Sequence, residues 1–297
     1  MSDPQPESAE VGPTDRPARR ARLPRTPKEP AGSGAPERLH KRIAAAGVCS
    51  RREAERRILE GRVTVNGQIV REMGRKVGPE DEVRVDDQPL PTVRRYYLLL
   101  NKPTGVVTTM RDPQGRRTVV DLVPDYGIPL KPVGRLDIDT EGAIILTNDG
   151  DFAQLLAHPS HGIEKEYSVT VAGELTPKDI RRLEEGVSLD GRRTAPARVK
   201  NVFFDRRGGR TSFRIVIHEG RNRQIRRMCE AVGHEVLKLK RNRIGSVDLH
   251  KLPVGGCRLL GQVEVEALRR EALDRAETNP NPAPGPKPRR SRPRPAP

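Results

Sequence analysis

Five residues, Ala143-Ile144-Ile145-Leu146-Thr147, form a β-compatible apolar run too short for a typical helix. The run ends in Asn148-Asp149-Gly150, which is strong turn chemistry. A short buried strand is the expectation. Just upstream, the segment Val133-Gly134-Arg135-Leu136-Asp137-Ile138-Asp139-Thr140-Glu141-Gly142 gathers acids and an Arg. Gly134 and Gly142 permit backbone conformations or close approaches that a Cβ would hinder. Asp137 is therefore expected in a loop braced from behind by a core strand, a setting in which reactive groups concentrate. Spacing alone also fits a charged hairpin whose Arg135, Asp137, Asp139 and Glu141 merely solvate.

A chain of 297 residues is long enough for two modest domains plus tails. Its formal net charge of +16 points to a polyanionic partner, nucleic acid before membrane. The longest apolar runs fall far short of the roughly 20 residues needed to span a bilayer, and no apolar h-region opens the chain. Cys49, Cys229 and Cys257 are scattered without ligand spacing, which fits a reduced cytoplasm better than a disulfide scaffold or a zinc site. A cytoplasmic protein with no membrane partner is expected. Trp is absent and aromatics are scarce, so recognition should rest on Arg and Lys rather than on stacking platforms.

Residues 1–36 are rich in Pro, Ala, Gly and charge, the composition of a disordered tail. Residues 277–297 are expected to be a second, Pro-rich tail. From Asn279 onward it carries Lys287, Arg289, Arg290, Arg292 and Arg294 with no acid. It reads equally as a flexible cation skimming a phosphate backbone or as an inert solubilising segment.

Residues 37–95 are read as a first folded unit with its connector. Leu39, Ile43 and Ala46 keep helical spacing until Gly47. Ser50 can cap a second helix, with Glu53 completing a capping box, and Ala54 and Ile58 give it an apolar face up to Gly61. Arg62–Val65 alternates as a strand, Asn66-Gly67 signals a hairpin into Gln68–Val70, and Val83 and Val85 mark another strand. Arg38 with Arg42, and Arg52 with Arg56, are like-charge i,i+4 pairs, which are easier to understand if phosphate neutralises them. The order Arg38-Leu39-x-Lys41, Gly47-Val48-Cys49-Ser50-Arg51-Arg52-Glu53-Ala54, Gly61-x-Val63-x-Val65-Asn66-Gly67 resembles the S4 RNA-binding domain. That resemblance implies that the two-helix face, with Arg38, Arg42, Arg51 and Arg52, meets structured RNA.

Residues 96–276 read as a second, α+β unit with a mixed or antiparallel sheet. Strands are expected at Tyr96–Leu100, Val106–Thr109, Tyr167–Val171, Val199–Phe204 and Thr211–Ile217. Helices are expected at Asp151–Ala157, Pro177–Glu185, Arg223–Val232 and Glu264–Arg275. His158 and His161 have a metal-like spacing, but Pro159 interrupts them and no third ligand is near, so no metal site is expected.

Gly134-Arg135-Leu136-Asp137-x-x-Thr140-x-Gly142, with its apolar strand and Thr147-Asn148-Asp149-Gly150, resembles the signature of the pseudouridine synthases. The likeness is to the RsuA/RluB type that acts on ribosomal RNA, and it implies that Asp137 is the catalytic nucleophile. Glu164-Lys165-Glu166-Tyr167 resembles the family's Lys-x-Tyr strand, implying that Tyr167 stacks on a flipped uracil and serves as base or proton relay. Gly220-Arg221-Asn222-Arg223-Gln224-Ile225-Arg226 resembles the Gly-x-x-x-Gln-Ile-Arg motif, implying that Arg226 pairs with the nucleophile. Arg221 and Arg223, and Arg135 in the nucleophile loop, are expected to contact RNA, and Leu239 to pack on the target base. The implied reaction breaks the N1–C1′ bond of uridine and remakes it as C5–C1′. It needs a nucleophile, an acceptor for a carbon-bound hydrogen and enclosure from water, and no cofactor is expected.

Asn101-Lys102-Pro103-x-Gly105 and Asp112-Pro113-x-Gly115-Arg116-x-Thr118-Val119-x-Asp121 resemble the large-subunit, RluB-like branch. They imply one uridine of 23S rRNA in a ribosomal precursor as the target, modified by a monomer. The competing expectation is a non-catalytic S4-type ribosome-assembly factor. It accounts for the charge and the first unit but not for Asp137, Tyr167 and Arg226 occurring together in their motif contexts.

Overall fold

The structure, a computed structural model, describes residues 35–278, and the expected tails lie almost wholly outside them. The final helix continues to Thr278, two residues beyond the expected domain end, because Ala272–Glu277 keeps a helix-forming composition.

Leu39–Ala45 (α1) and Arg51–Leu59 (α2) pack on short antiparallel strands, Val63–Val65 with Gln68–Ile69 and with Val83–Val85. Asn66 (φ 51°) and Gly67 (φ 78°) supply the left-handed turn that the Asn-Gly pair predicts. Leu39, Ile43, Ala54, Ile58 and the valines of both longer strands close a small core. The capping box is only half formed. Ser50 accepts from the Glu53 amide at 3.2 Å, but the Glu53 carboxylate turns to Arg56 (2.6 Å) and Arg57 (3.1 Å). Hydrogen bonds from those two guanidinium groups pull its pKa down to about 2.

The expected like-charge pairs are also relieved from within the chain. Arg42 reaches Glu37 at 3.2 Å, and Arg56 is held between Glu53 and Glu60 at 2.6 Å each. Arg38, Arg51 and Arg52 are exposed and form no ion pair among the described residues. Of the four cations expected on this face, Arg42 is thus the one already engaged.

The second unit is a mixed sheet, nine-stranded among the described residues. Its main order is Arg198–Asp205, Arg210–Ile217, Lys165–Ala172, Val236–Ile244, Glu141–Thr147, Tyr97–Lys102, Cys257–Leu259. Neighbours run antiparallel except at one seam, where Glu141–Thr147 lies parallel to Val236–Ile244 over only two residue pairs, Glu141 with Lys240 and Gly142 with Arg241. Side-chain alternation divides the core between two faces. Leu98, Leu100, Ile144 and Leu146 belong to the same core as the buried residues of Gln224–Ala231 (α5) and Pro177–Glu185 (α4). Leu99, Ala143 and Ile145 face Gly150–Ala157 (α3) and Gln262–Thr278 (α6). A strand covered on both sides needs apolar residues at every position, which is why Ala143–Leu146 reads as an unbroken run.

Asn148-Asp149-Gly150 is the turn its chemistry predicts, and it also ties elements together. Asp149 caps α3 by accepting from the amides of Asp151 and Phe152 at 3.0 Å, and it accepts from Tyr97 Oη (2.8 Å) and Arg269 (2.6 Å). Burial opposes its charge, but these bonds and Arg95 outweigh burial and lower its pKa. Lys41 of α1 forms an ion pair with Asp151, in the first turn of α3.

One expected strand is absent and one unexpected strand is present. Val106–Thr109 forms no strand. It makes one isolated bridge, Val107 with Thr118, while Thr108 bonds the nucleophile loop and Thr109 bonds locally to Arg111. Conversely, Val236–Ile244 is a nine-residue strand that the alternation does not announce, because Leu237 is exposed and cations fill the segment.

Candidate active site

The loop bearing Asp137 is held from several directions. Gly105 N donates to Ile138 O at 2.8 Å. Thr108 Oγ1 donates to Leu136 O at 2.7 Å and accepts from Leu136 N at 3.3 Å. Lys102, fully buried, donates from Nζ to Thr140 O and Pro103 O, both at 2.9 Å. Burial pushes its pKa down to about 8, against the pull of Asp139, Asp137 and Glu141. Within the loop Thr140 N closes a turn on Asp137 O at 3.1 Å. Asn101–Thr109 is therefore a brace for the nucleophile loop.

At the end of that loop Gly142 has φ 114°, and a Cβ there would fall on the Arg241 backbone. The parallel seam exists because this residue has no side chain. Beyond two residue pairs the strands part, and a cavity of about 390 Å³ opens beside Asp137. That volume lies within the range of small-molecule pockets. Tyr167 and Leu239 form buried apolar wall. Asp137 lies at the rim with its side chain 37% exposed. Arg135, exposed, lines the rim beside it.

The basic motif divides its work unexpectedly. Arg223 is the N-cap of α5 and sits in the left-handed region (φ 47°, ψ 34°), unusual for a residue with a Cβ. From there its guanidinium comes within 4.0 Å of Asp137 Oδ2 and 3.4 Å of Asp139 Oδ2. Arg226, one helical turn on, does not pair with Asp137. Its Nη2 reaches Asp139 Oδ2 at 3.1 Å and Asp139 O at 3.1 Å, while Nη1 donates to Val236 O at 3.1 Å. The expected pairing of Arg226 with Asp137 is thereby corrected: among the described residues the ion pair of Asp137 is with Arg223. The physical reason is the N-cap geometry, which swings Arg223 over the loop and leaves Arg226 directed at the loop's second acid. Arg221 lines the cavity, but its Nη1 and Nη2 donate to the carbonyls of Arg192 (3.0 Å) and Arg193 (2.7 Å), clamping a surface hairpin.

Two further cations line the cavity. Arg241 is 4% exposed, lies opposite Tyr167 in the sheet and donates from Nε to Ala143 O at 2.6 Å. Lys165, two residues before Tyr167 in the same strand, has its pKa pushed down to about 8 by burial, with Arg241 and Arg275 adding to the effect. Sequence reasoning passed over Arg241 because Lys238-Leu239-Lys240-Arg241-Asn242-Arg243 reads as a solvated basic face. The available signal was its position two residues after Leu239, which puts both on one side of a strand. His158 and His161 are drawn into local bonds, His158 Nδ1 with Ser160 Oγ and His161 Nδ1 with Leu155 O. No cluster of three potential metal ligands occurs among the described residues, and no described helix is long and apolar enough to cross a membrane.

A two-helix basic unit joined to an enclosed cleft with a carboxylate, a Tyr and several Arg defines an enzyme that works on RNA. Comparison with known proteins makes this specific. A family model described as RNA pseudouridylate synthase matches residues 96–231, and one for the S4 domain matches residues 37–83. The chain is 45% identical over 234 residues to the ribosomal large subunit pseudouridine synthase B of Bacillus subtilis, covering 78% of this chain and 96% of that protein. It is 42% identical to an uncharacterized RNA pseudouridine synthase of Aquifex aeolicus, over 78% of this chain and 93% of that one. A crystal structure of a pseudouridylate synthase superimposes with a TM-score of 0.55 at 34% identity, covering 78% of this chain and 99% of the other. The protein belongs to the RNA pseudouridine synthases, with an S4 domain at its N-terminal side.

Proposed function

We propose that this pseudouridine synthase isomerises one uridine of 23S rRNA in a ribosomal precursor, acting as a monomer in the cytoplasm. The observation that carries the chemistry is that Asp137 and Tyr167 line one cavity with a guanidinium, Arg223, beside the carboxylate. The large-subunit assignment is supported by the names of the relatives from Bacillus subtilis and Pseudomonas aeruginosa, both large subunit pseudouridine synthases B. Exposed Arg38, just before α1, and Arg51 and Arg52 on α2 supply a sequence-independent grip on the folded RNA.

In this reading the target uridine leaves its stack and enters the cavity, its base against Tyr167 and Leu239. The Asp137 carboxylate attacks C1′ as the N1–C1′ bond breaks, the bonding pair departing with the uracil. The detached base turns, C5 attacks C1′, and the carboxylate is expelled. The hydrogen on C5 then passes as a proton to a base, for which the Tyr167 hydroxyl is the candidate, and N1 takes up a proton, so that the product is an isomer of uridine. Arg223 holds the carboxylate in place. Arg226 acts one step removed by fixing Asp139, and Arg135, at the rim, lies where the flanking RNA backbone would pass.

The test is to incubate pure enzyme with 16S and 23S transcripts and map pseudouridine. One modified position, in 23S, is expected. Modification confined to 16S would overturn the large-subunit assignment and leave the catalytic reading intact. Deleting residues 37–87 should lower efficiency on full-length rRNA far more than on a short hairpin carrying the mapped uridine.

A further inference from the structure

The mechanism above leaves one buried group in the cavity without a task. Arg241 is almost completely enclosed, and its guanidinium is held by Nε on Ala143 O at 2.6 Å. Nη1 stands 3.5 Å from the Tyr167 hydroxyl, and Nη2 is buried with no hydrogen-bond partner among the described residues. A buried guanidinium donor left unmatched is costly, and such groups in native proteins call for an explanation. The Ala143 carbonyl matches Nε and the Tyr167 hydroxyl weakly matches Nη1, which leaves Nη2 without a partner among the described residues. The register places Arg241 directly across from Tyr167 and Leu239 across from Val169, so the cation lies on the same wall as the two apolar residues. Lys165 adds a second positive group on the strand of Tyr167.

We propose that Arg241 is a base-recognition residue whose outer guanidinium nitrogens donate to a carbonyl oxygen of the target uracil. The inference rests on the functional reading given above. Three features of the chemistry favour this partner. Uracil presents carbonyl oxygens on both sides of N3, whereas cytosine carries an amine at C4, and a guanidinium can donate but never accept. A site built to match a polar group rejects the analogue lacking it far more strongly than an apolar pocket can. When the N1–C1′ bond breaks, the departing pair spreads from N1 onto O2 and O4, so a fixed cation on a carbonyl gains strength as charge develops. Moreover, the turn that brings C5 to C1′, about the N3–C6 axis, exchanges N1 with C5 and O2 with O4. One donor therefore finds a carbonyl at the same place before and after the rearrangement.

The experiment combines residue and substrate substitutions. Transcripts of the rRNA that the wild-type enzyme modifies are made with C5-tritiated uridine, 2-thiouridine or 4-thiouridine, and hydrogen release is followed at saturating enzyme. Sulfur is a weak acceptor, and changes in RNA folding act equally on every enzyme and cancel in ratios between enzymes. Wild-type enzyme should be slowed about tenfold on at least one thio-RNA, the loss expected of one charge-assisted hydrogen bond. Arg241→Lys, with an unchanged melting temperature, should be slowed on uridine RNA but show little further penalty from sulfur. The idea is overturned by a wild type indifferent to both thio-RNAs, or by sulfur penalties that simply multiply with that of Arg241→Lys. It is equally overturned by an Arg241→Lys chain that fails to fold, or one that folds and loses more than about a thousandfold, since one hydrogen bond cannot account for that. Absence of tritium release from uridine RNA by the wild type would instead count against the parent reaction.

Discussion

Arg226 grips Asp139, not Asp137: its guanidinium meets the Asp139 carboxylate and the Asp139 carbonyl, both at 3.1 Å. The second acid of the nucleophile loop is thus a handle by which α5 holds the loop, and the first acid is left for Arg223 at 4.0 Å. Substitutions at the two arginines should separate. Arg223→Met should lower turnover by at least about tenfold with a small change in melting temperature, since its side chain is 46% exposed. Arg226→Met removes bonds at both ends of a guanidinium that is only 14% exposed. It should cost about 2–4 kcal/mol of stability as well as activity. Thermal melts beside single-turnover rates decide this, and equal melting losses in both variants would contradict the division of labour.

Asp137→Asn keeps the shape of the side chain and removes the nucleophile. Release of the C5 hydrogen should fall by at least about a thousandfold, while RNA affinity, carried by distributed cations, should hold within about threefold. Activity within tenfold of wild type would end the mechanism.

Gly142→Ala tests the seam. Its φ of 114° and the contact of a new Cβ with the Arg241 backbone leave no room for an L side chain. Destabilisation of about 3 kcal/mol or more is expected from urea unfolding, with loss of activity because Arg241 is the other member of the disturbed pair and Asp137 lies in the loop that leads into it. A variant as stable as wild type would mean that the strands separate there at no cost.

Lys165 gives a signed pH effect. Burial holds its folded pKa near 8, below an unfolded value of about 10.4. Between those values the unfolded chain binds more protons, so this group makes stability rise with pH. Lys165→Met lacks the contribution. The stability of wild type relative to this variant should therefore increase from about pH 7.5 to about pH 10, measured by urea titration. A difference independent of pH would show that Lys165 titrates as in the unfolded chain.

Much of the framework was fixed locally. The Ser50 cap, the Asn66-Gly67 turn, the Pro177 start of α4 and the doubly covered run Ala143–Leu146 each depend on residues a few positions apart. Sequence therefore states them directly. The glycines flanking the nucleophile loop were legible for the same reason, although only the fold shows that Gly142 makes way for the backbone of Arg241. What sequence could not decide was which cation serves which acid. Arg221, Arg223, Arg226 and Arg227 fall within seven residues, and their reach depends on the left-handed N-cap at Arg223 and on where α5 meets the loop. Nor could it distinguish Arg241, a buried donor on the cavity wall, from its exposed neighbours Leu237 and Lys238, because strand pairing between residues far apart in sequence sets which side chains face inward.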